Sequence, residues 1–193
     1  MAKISTYPLP TPPSSEDLLI GTDISDANNT KNFKITDVLA LTNKGSFFST
    51  QTQTAASANT AYPIRLENTD TDITNGFTVN SGTNGVSRIT ANADGAYNLA
   101  FSAQINKTTG GEASIDIWIR IDGVNVANSN TRVTIKANAN YMVAAWNFFV
   151  KLNEGQYVEL MWATTDTNAR FLYEAAGSPH PATPSVIATI NQV

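Results

Sequence analysis

Ser114–Gly123 reads SIDIWIRIDG, with Ile115, Ile117, Ile119 and Ile121 on every second position and Asp116, Trp118, Arg120 and Asp122 between them. Side chains alternate between two faces only in an extended strand; a helix of 3.6 residues per turn would scatter the four isoleucines around its circumference. β-Branched residues also pack well on a pleated surface and lose rotamer freedom in a helix. The segment is therefore predicted to be a strand with one apolar and one polar face. Asp122-Gly123 supplies the turn chemistry of a two-residue hairpin. The return strand is expected at Val124–Val126 or at Arg132–Lys136.

The same period of two recurs outward from this strand. Tyr97, Leu99, Phe101, Ala103 and Ile105 alternate with polar or small residues, and a loop at Gly110-Gly111 follows. Met142, Ala144, Trp146, Phe148, Val150 and Leu152 alternate up to a turn at Glu154-Gly155. Val158, Leu160 and Trp162 resume the pattern beyond it, which predicts two adjacent antiparallel strands. Shorter extended runs are expected at Tyr62–Leu66 and Phe171–Tyr173. In the final stretch PSVIATINQV, Val186, Ala188 and Ile190 alternate, so the C-terminus is built into a sheet. Eight or more strands without a helix of useful length predict an all-β, antiparallel two-sheet jelly roll over residues 61–193.

Composition agrees. Charged residues make up 15% of the chain, against about 25% in ordinary globular proteins, and Asn, Thr and Ser supply polarity in their place. These residues compete for backbone hydrogen bonds and favour turns and half-exposed strands. A net charge of -4 offers no electrostatic basis for gripping nucleic acid or an anionic membrane. The absence of cysteine excludes disulfides, thiolate metal sites and a cysteine nucleophile. No run of about 18 apolar residues is present, and MAKISTYPLPTPP lacks the basic-then-apolar order of an export signal.

The first 46 residues read differently. Pro8, Pro10, Pro12 and Pro13 make the start an extended strap. Leu18, Leu19 and Ile20 are predicted to pair across an Asp26–Thr30 turn with Asn32–Ile35. Thr36 suits a helix N-cap, with Val38, Leu39 and Leu41 as a short apolar stripe ended by Lys44-Gly45. A hairpin and two helical turns bury too little to fold alone. Leu18, Leu19, Ile20, Phe33, Ile35, Val38, Leu39 and Leu41 are accordingly the candidate docking residues of an arm spanning 1–46. Residues 47–60, rich in Thr, Ala and Asn, read as a linker to the head.

The runs GAYNLAFSAQINKT, IDIWIRIDG, NYMVAAWNFFVKLNEGQYVELMWATTD and HPATPSVIATINQV together resemble a jelly-roll domain of cyanophage and other marine-phage virion proteins. Their layout is similar to the globular heads of the complement and tumour necrosis factor families, through the aromatic-bearing strand after Gly95, the Leu152 to Val158 segment and the terminal Ser-x-Ile strand. KISTYPLP, LLIGTDISD and TKNFKITDVLAL resemble the opening segments of phage fibre proteins. The resemblance implies a homotrimer attached to another virion protein of tail, collar or capsid through its N-terminus. It also implies assembly in the host cytoplasm and an exposed head used in host adsorption. A repetitive fibre shaft is missing, which implies a short reach.

Residues that carry chemistry elsewhere find little support here. His180, the single histidine, sits between Pro179 and Pro181 without partners for a triad or a histidine metal site. Asp70, Asp72, Asn75 and Gly76 superficially suggest a calcium loop, but the fifth, sixth and twelfth places hold Thr74, Asn75 and Ser81. Glu112, Asp116, Glu159, Asp166 and Glu174 include no pair that spacing selects for glycoside cleavage. Asn106 begins an Asn-x-Thr sequence that needs no glycosylation in a phage. Neither catalysis nor a cofactor or metal is expected.

Trp118, with Arg120 beside it on the polar face, has three readings: a subunit contact, a platform for a host surface glycan, or a half-buried ring on an outer sheet face. The leading expectation is a non-enzymatic, homotrimeric tail fibre or short appendage of a tailed-phage virion. A capsid decoration protein and a carbohydrate-binding module are the alternatives.

Overall fold

The computed structural model describes residues 14, 16–35, 38, 42–83, 85–136 and 141–193. The chain divides into two compact units, Met1–Thr42 and Asn43–Val193.

The first unit holds the expected hairpin. β1 (Leu18–Asp23) pairs antiparallel with β2 (Asn29–Lys34), from Leu18 opposite Lys34 to Asp23 opposite Asn29. Ala27 and Asn28 take positive φ in the connecting turn, and Lys31 binds Asp23 and Asp26 at 3.0 and 2.7 Å across it. Ile35 and Val38 have helical backbone, so the second strand ends one residue earlier than predicted. Thr36, Leu39 and Leu41 of the anticipated helical stub lie outside the described residues.

The second unit contains β3 (Lys44–Ser49), β4 (Gln53–Thr54), β5 (Tyr62–Pro63), β6 (Asn68–Thr69), β7 (Phe77–Gly82), β8 (Gly85–Ala91) and β9 (Gly95–Lys107). It continues with β10 (Ala113–Ile121), β11 (Val124–Asn125), β12 (Thr131–Ile135), β13 (Tyr141–Leu152), β14 (Tyr157–Thr164), β15 (Ala169–Phe171) and β16 (Val186–Gln192). All pairings are antiparallel. One sheet runs β4-β15-β9-β16-β3-β6, with β13 on the free side of β9; the other runs β11-β10-β14-β8-β7, with β12 on β10 and β5 on β14. The pairs β3–β16, β8–β14, β9–β13 and β10–β12 are nested one inside the next along the chain and fall alternately in the two sheets. That is the winding of a jelly roll.

The alternating apolar residues form the core between the sheets. Ile115 and Ile117 from β10, Leu99 and Ala103 from β9, Val158 and Leu160 from β14, and Val186 and Ala188 from β16 are all inaccessible to solvent. Trp162 packs on Phe171 with ring centroids 4.5 Å apart, and Phe101 meets Trp146 edge to face at 4.7 Å.

Two expectations are corrected. β13 and β14, predicted as neighbours across Glu154-Gly155, lie in opposite sheets: β13 pairs with β9, and β14 with β10, β8 and β5. Their apolar faces look at each other across the core. A pattern of alternation marks which face is inward and is blind to which strand lies alongside.

The segment read as the end of an arm and a linker is part of the roll. Lys44–Ser49 is a strand paired with β16, and Phe47 is wholly buried. The side chain of Gln53 acts as a strand partner for Arg65, accepting from its N–H at 2.8 Å and donating to its carbonyl at 3.1 Å. A low-complexity run can therefore supply fixed structure when its amides replace ladder bonds.

Candidate functional site

Both alternatives for the return strand after Asp122-Gly123 occur on one edge of β10. The turn residues have φ of 47° and 82°, as a mirror-image two-residue turn demands. β11 pairs with Arg120 and Ile121; the chain then loops out over 126–130 and returns as β12 against Ala113–Ile117. Ser129 pins the loop: its hydroxyl accepts from the Ile119 N–H at 3.2 Å and donates to the Val126 carbonyl at 2.8 Å.

The loop-out opens a cleft of about 460 Å³ on the outer face of the sheet, within the roughly 300–1,000 Å³ of ordinary ligand pockets. Trp118 lines it, together with Asp116, Arg132, the amides of Asn125 and Asn130, and Thr164 on β14. The indole N–H of Trp118 donates to Asn125 Oδ1 at 2.8 Å, which fixes the ring. Arg132 binds Asp116 through two parallel bonds of 3.0 Å, and Asn130 Nδ2 adds a third at 2.9 Å. Burial alone pushes the Asp116 carboxyl up, but the hydrogen bonds of Arg132 and Asn130 and the Arg132 charge together outweigh it and hold its pKa below 3.8. Asn59 and Asn128 stand at the rim with φ of 54° and 62°.

Arg120, adjacent to Trp118 on the same face, is occupied otherwise. Its Nε and Nη2 reach Glu159 Oε2 at 3.0 and 2.7 Å, while Ser87 donates to Oε1 at 2.7 Å. Glu159 is completely buried, so Arg120 is its counter-ion and does not line the cleft.

Asp166, Asp70 and His180 are likewise held by local contacts. Asp166 sits below its ordinary 3.8, held there by the Asn168 N–H and by Lys107, whose Nζ is 3.0 Å away. Asp116 and Glu159 are separated by four residues along paired strands, about 13 Å of backbone. Asp70 accepts from the Asp72 N–H at 3.2 Å, and Asn75 exchanges backbone bonds with Lys44, so that segment is a turn closing on β3. His180 is exposed with Nδ1 3.0 Å from the Pro181 carbonyl. Asn106 is buried and accepts from Arg170 Nε at 3.0 Å. Among the described residues, no three His, Cys, Asp or Glu side chains gather as a metal site.

The candidate docking residues fall in the first unit. Leu18, Leu19, Ile20 and Val38 are exposed, whereas Phe33 and Ile35 are half-buried; Leu39 and Leu41 lie outside the described residues. A surface that sequence reasoning missed is the outward face of the β3–β16–β9–β13 sheet. Its central rows run Ala145, Ser102, Ile187, Phe48 and then Asn147, Ala100, Thr189, Ser46. Neither row carries a charge. On β13, Tyr141, Val143 and Phe149 are 66%, 57% and 73% exposed. The signal was present as the alternate residues of the β13 pattern, three of which, Val143, Ala145 and Phe149, are as apolar as the inward ones.

No family model matches the chain, and no curated protein matches it. Among solved structures, that of Eiger TNF from S. frugiperda aligns with 79% of this chain and 92% of its own, at a TM-score of 0.47 and 7% identity. The jelly roll assigned above rests on the strand pairing.

Proposed function

We propose that this chain is a non-enzymatic structural protein of a tailed-phage virion, a homotrimeric short appendage anchored through its first unit, with the jelly roll as its exposed head. The observation that carries this reading is apolar surface left uncovered in each unit. In the hairpin, Ile20 and Ile24 are 78% and 86% exposed, although isolated hairpins are marginal in water. In the jelly roll, β13 is a twelve-residue strand that, among the described residues, pairs only with β9 and bears Phe149 outward. A long apolar edge of this kind invites pairing with another chain unless it is covered. Copies of the head cover one another through that sheet face, and the hairpin is left for a different virion protein.

Sedimentation of residues 43–193 at micromolar concentration tests the assignment. Trimers are expected, together with dissociation by Phe149→Asp and failure of the truncated chain to join particles. A monomeric head with a folded spectrum refutes the trimer, and incorporation without residues 1–42 refutes the anchor.

A further inference from the structure

We propose that the Trp118 cleft is a binding site for a neutral saccharide. The proposal deepens the adsorption role suggested above, yet its chemistry lies within one chain and does not require the trimer.

Three features of the cleft select this ligand class. The first is the mixture of surfaces. A pyranose presents an apolar C–H face and a ring of hydroxyls that both donate and accept; an indole matches the face, and amides, a carboxylate and a guanidinium match the hydroxyls. Trp118 lies beside Asp116, Arg132, Asn125 and Asn130 in this way.

The second is charge. The bidentate bond of Arg132 to Asp116 leaves one positive and one negative group cancelled at 3.0 Å. No free cation remains among the described lining residues to capture a phosphate or a uronate, and the chain itself carries a net charge of -4. Adjacent hydroxyls can still bond to the outer lone pairs of Asp116 and the remaining N–H groups of Arg132.

The third is preorganisation. The indole is fixed by Asn125, the carboxylate by Arg132 and Asn130, and the loop by Ser129. The side-chain amides of Asn59 and Asn128 at the rim are the exception, with no side-chain hydrogen bond to another described residue. Both sit in the left-handed region that Asn tolerates better than other non-glycine residues. Each offers two donors and an acceptor at the mouth of a site whose floor is already ordered.

The test follows the indole N–H resonances of the ¹⁵N-labelled full chain, whose three tryptophans are Trp118, Trp146 and Trp162. The Trp118 signal is assigned by its loss in Trp118→Phe. Cellotriose, maltotriose, mannotriose and tri-N-acetylchitotriose are titrated in turn. At least one is expected to move the Trp118 signal saturably while the buried Trp162 signal stays in place. Measured by calorimetry with the sugar that binds, Trp118→Ala should weaken binding at least tenfold. Asn128→Gly, which removes the rim amide but keeps a residue suited to positive φ, should do so severalfold without affecting folding.

An unmoved Trp118 signal with all the sugars overturns the proposal, as does a calorimetric affinity that both variants leave intact. A Trp118 signal that moves on dilution without sugar, in step with subunit dissociation, identifies the cleft as a subunit contact and also overturns it. Light scattering on the same samples separates the two readings: trimers without sugar binding remove only the saccharide site, and sugar binding by monomers removes only the trimer.

Discussion

Replacing Arg120 by Met tests whether the buried Glu159 depends on it. Glu159 is inaccessible to solvent, and its Oε2 takes two bonds from Arg120, at 3.0 and 2.7 Å. Removing one partner of a buried ion pair costs about 3–5 kcal/mol, because the remaining charge is left in a medium that solvates it poorly. Two local features place this case at the lower end. Arg120 itself is 21% exposed, and Arg88 Nε stands 3.7 Å from Oε1, with the guanidinium carbon 4.5 Å over the Tyr157 ring, so Arg88 partly compensates. The expected loss is therefore about 3 kcal/mol, a large fraction of the roughly 5–15 kcal/mol that holds a domain together. Glu159→Met should cost less than Arg120→Met, since a cation near the surface can turn to water and a buried carboxylate cannot. The double variant should recover at least about 1 kcal/mol of the sum of the two single losses, as expected for directly bonded partners. Urea unfolding of residues 43–193 at neutral pH, followed by tryptophan fluorescence, measures all three. A loss below about 1 kcal/mol for Arg120→Met, in the range of exposed ion pairs, would refute the reasoning and return Arg120 to the solvent-facing role suggested by its position in the strand.

Phe47→Ala should destabilise the same fragment by about 3–5 kcal/mol, because the ring is fully buried in the core of the roll; a change under about 1 kcal/mol would restore residues 44–49 to the arm and linker. Leu19→Ser, on the exposed hairpin, should leave the unfolding of the jelly roll within about 0.5 kcal/mol while abolishing attachment to particles. Asp116 and Asp166 both titrate below 3.8 in the folded chain. Each therefore adds stability that is complete above the unfolded carboxylate range and is lost as pH falls through the folded values. Urea midpoints measured from neutral pH down to about pH 2 should decline, and Asp116→Asn or Asp166→Asn should flatten that decline. An unchanged slope in both variants would show that these pairs do not contribute.

Within Ser114–Gly123 the sequence alone determined the strand, its inward face and its turn. These depend on a two-residue period and on the positive φ that Asp122-Gly123 accommodates, both properties of neighbouring residues. The inward faces of β9, β13, β14 and β16 were legible for the same reason. Strand neighbours were not: Glu154-Gly155 looks like a hairpin turn, yet the chain there crosses from one sheet to the other. β3 was hidden because KGSFFS carries an apolar residue on both of its faces, Phe47 inward and Phe48 outward, so no alternation stands out.

The site divides along the same line. Trp118 could be singled out from the sequence as an aromatic on a polar face, and Arg120 next to it looked equivalent. Only the tertiary structure separated them. β14 brings a buried Glu159 opposite Arg120, and the loop over 126–130 opens a cleft beside Trp118. Local sequence sets which way a side chain points, whereas what it meets there depends on how other segments are laid beside it, a loop only 7 residues on for Trp118 and a strand 39 residues on for Arg120.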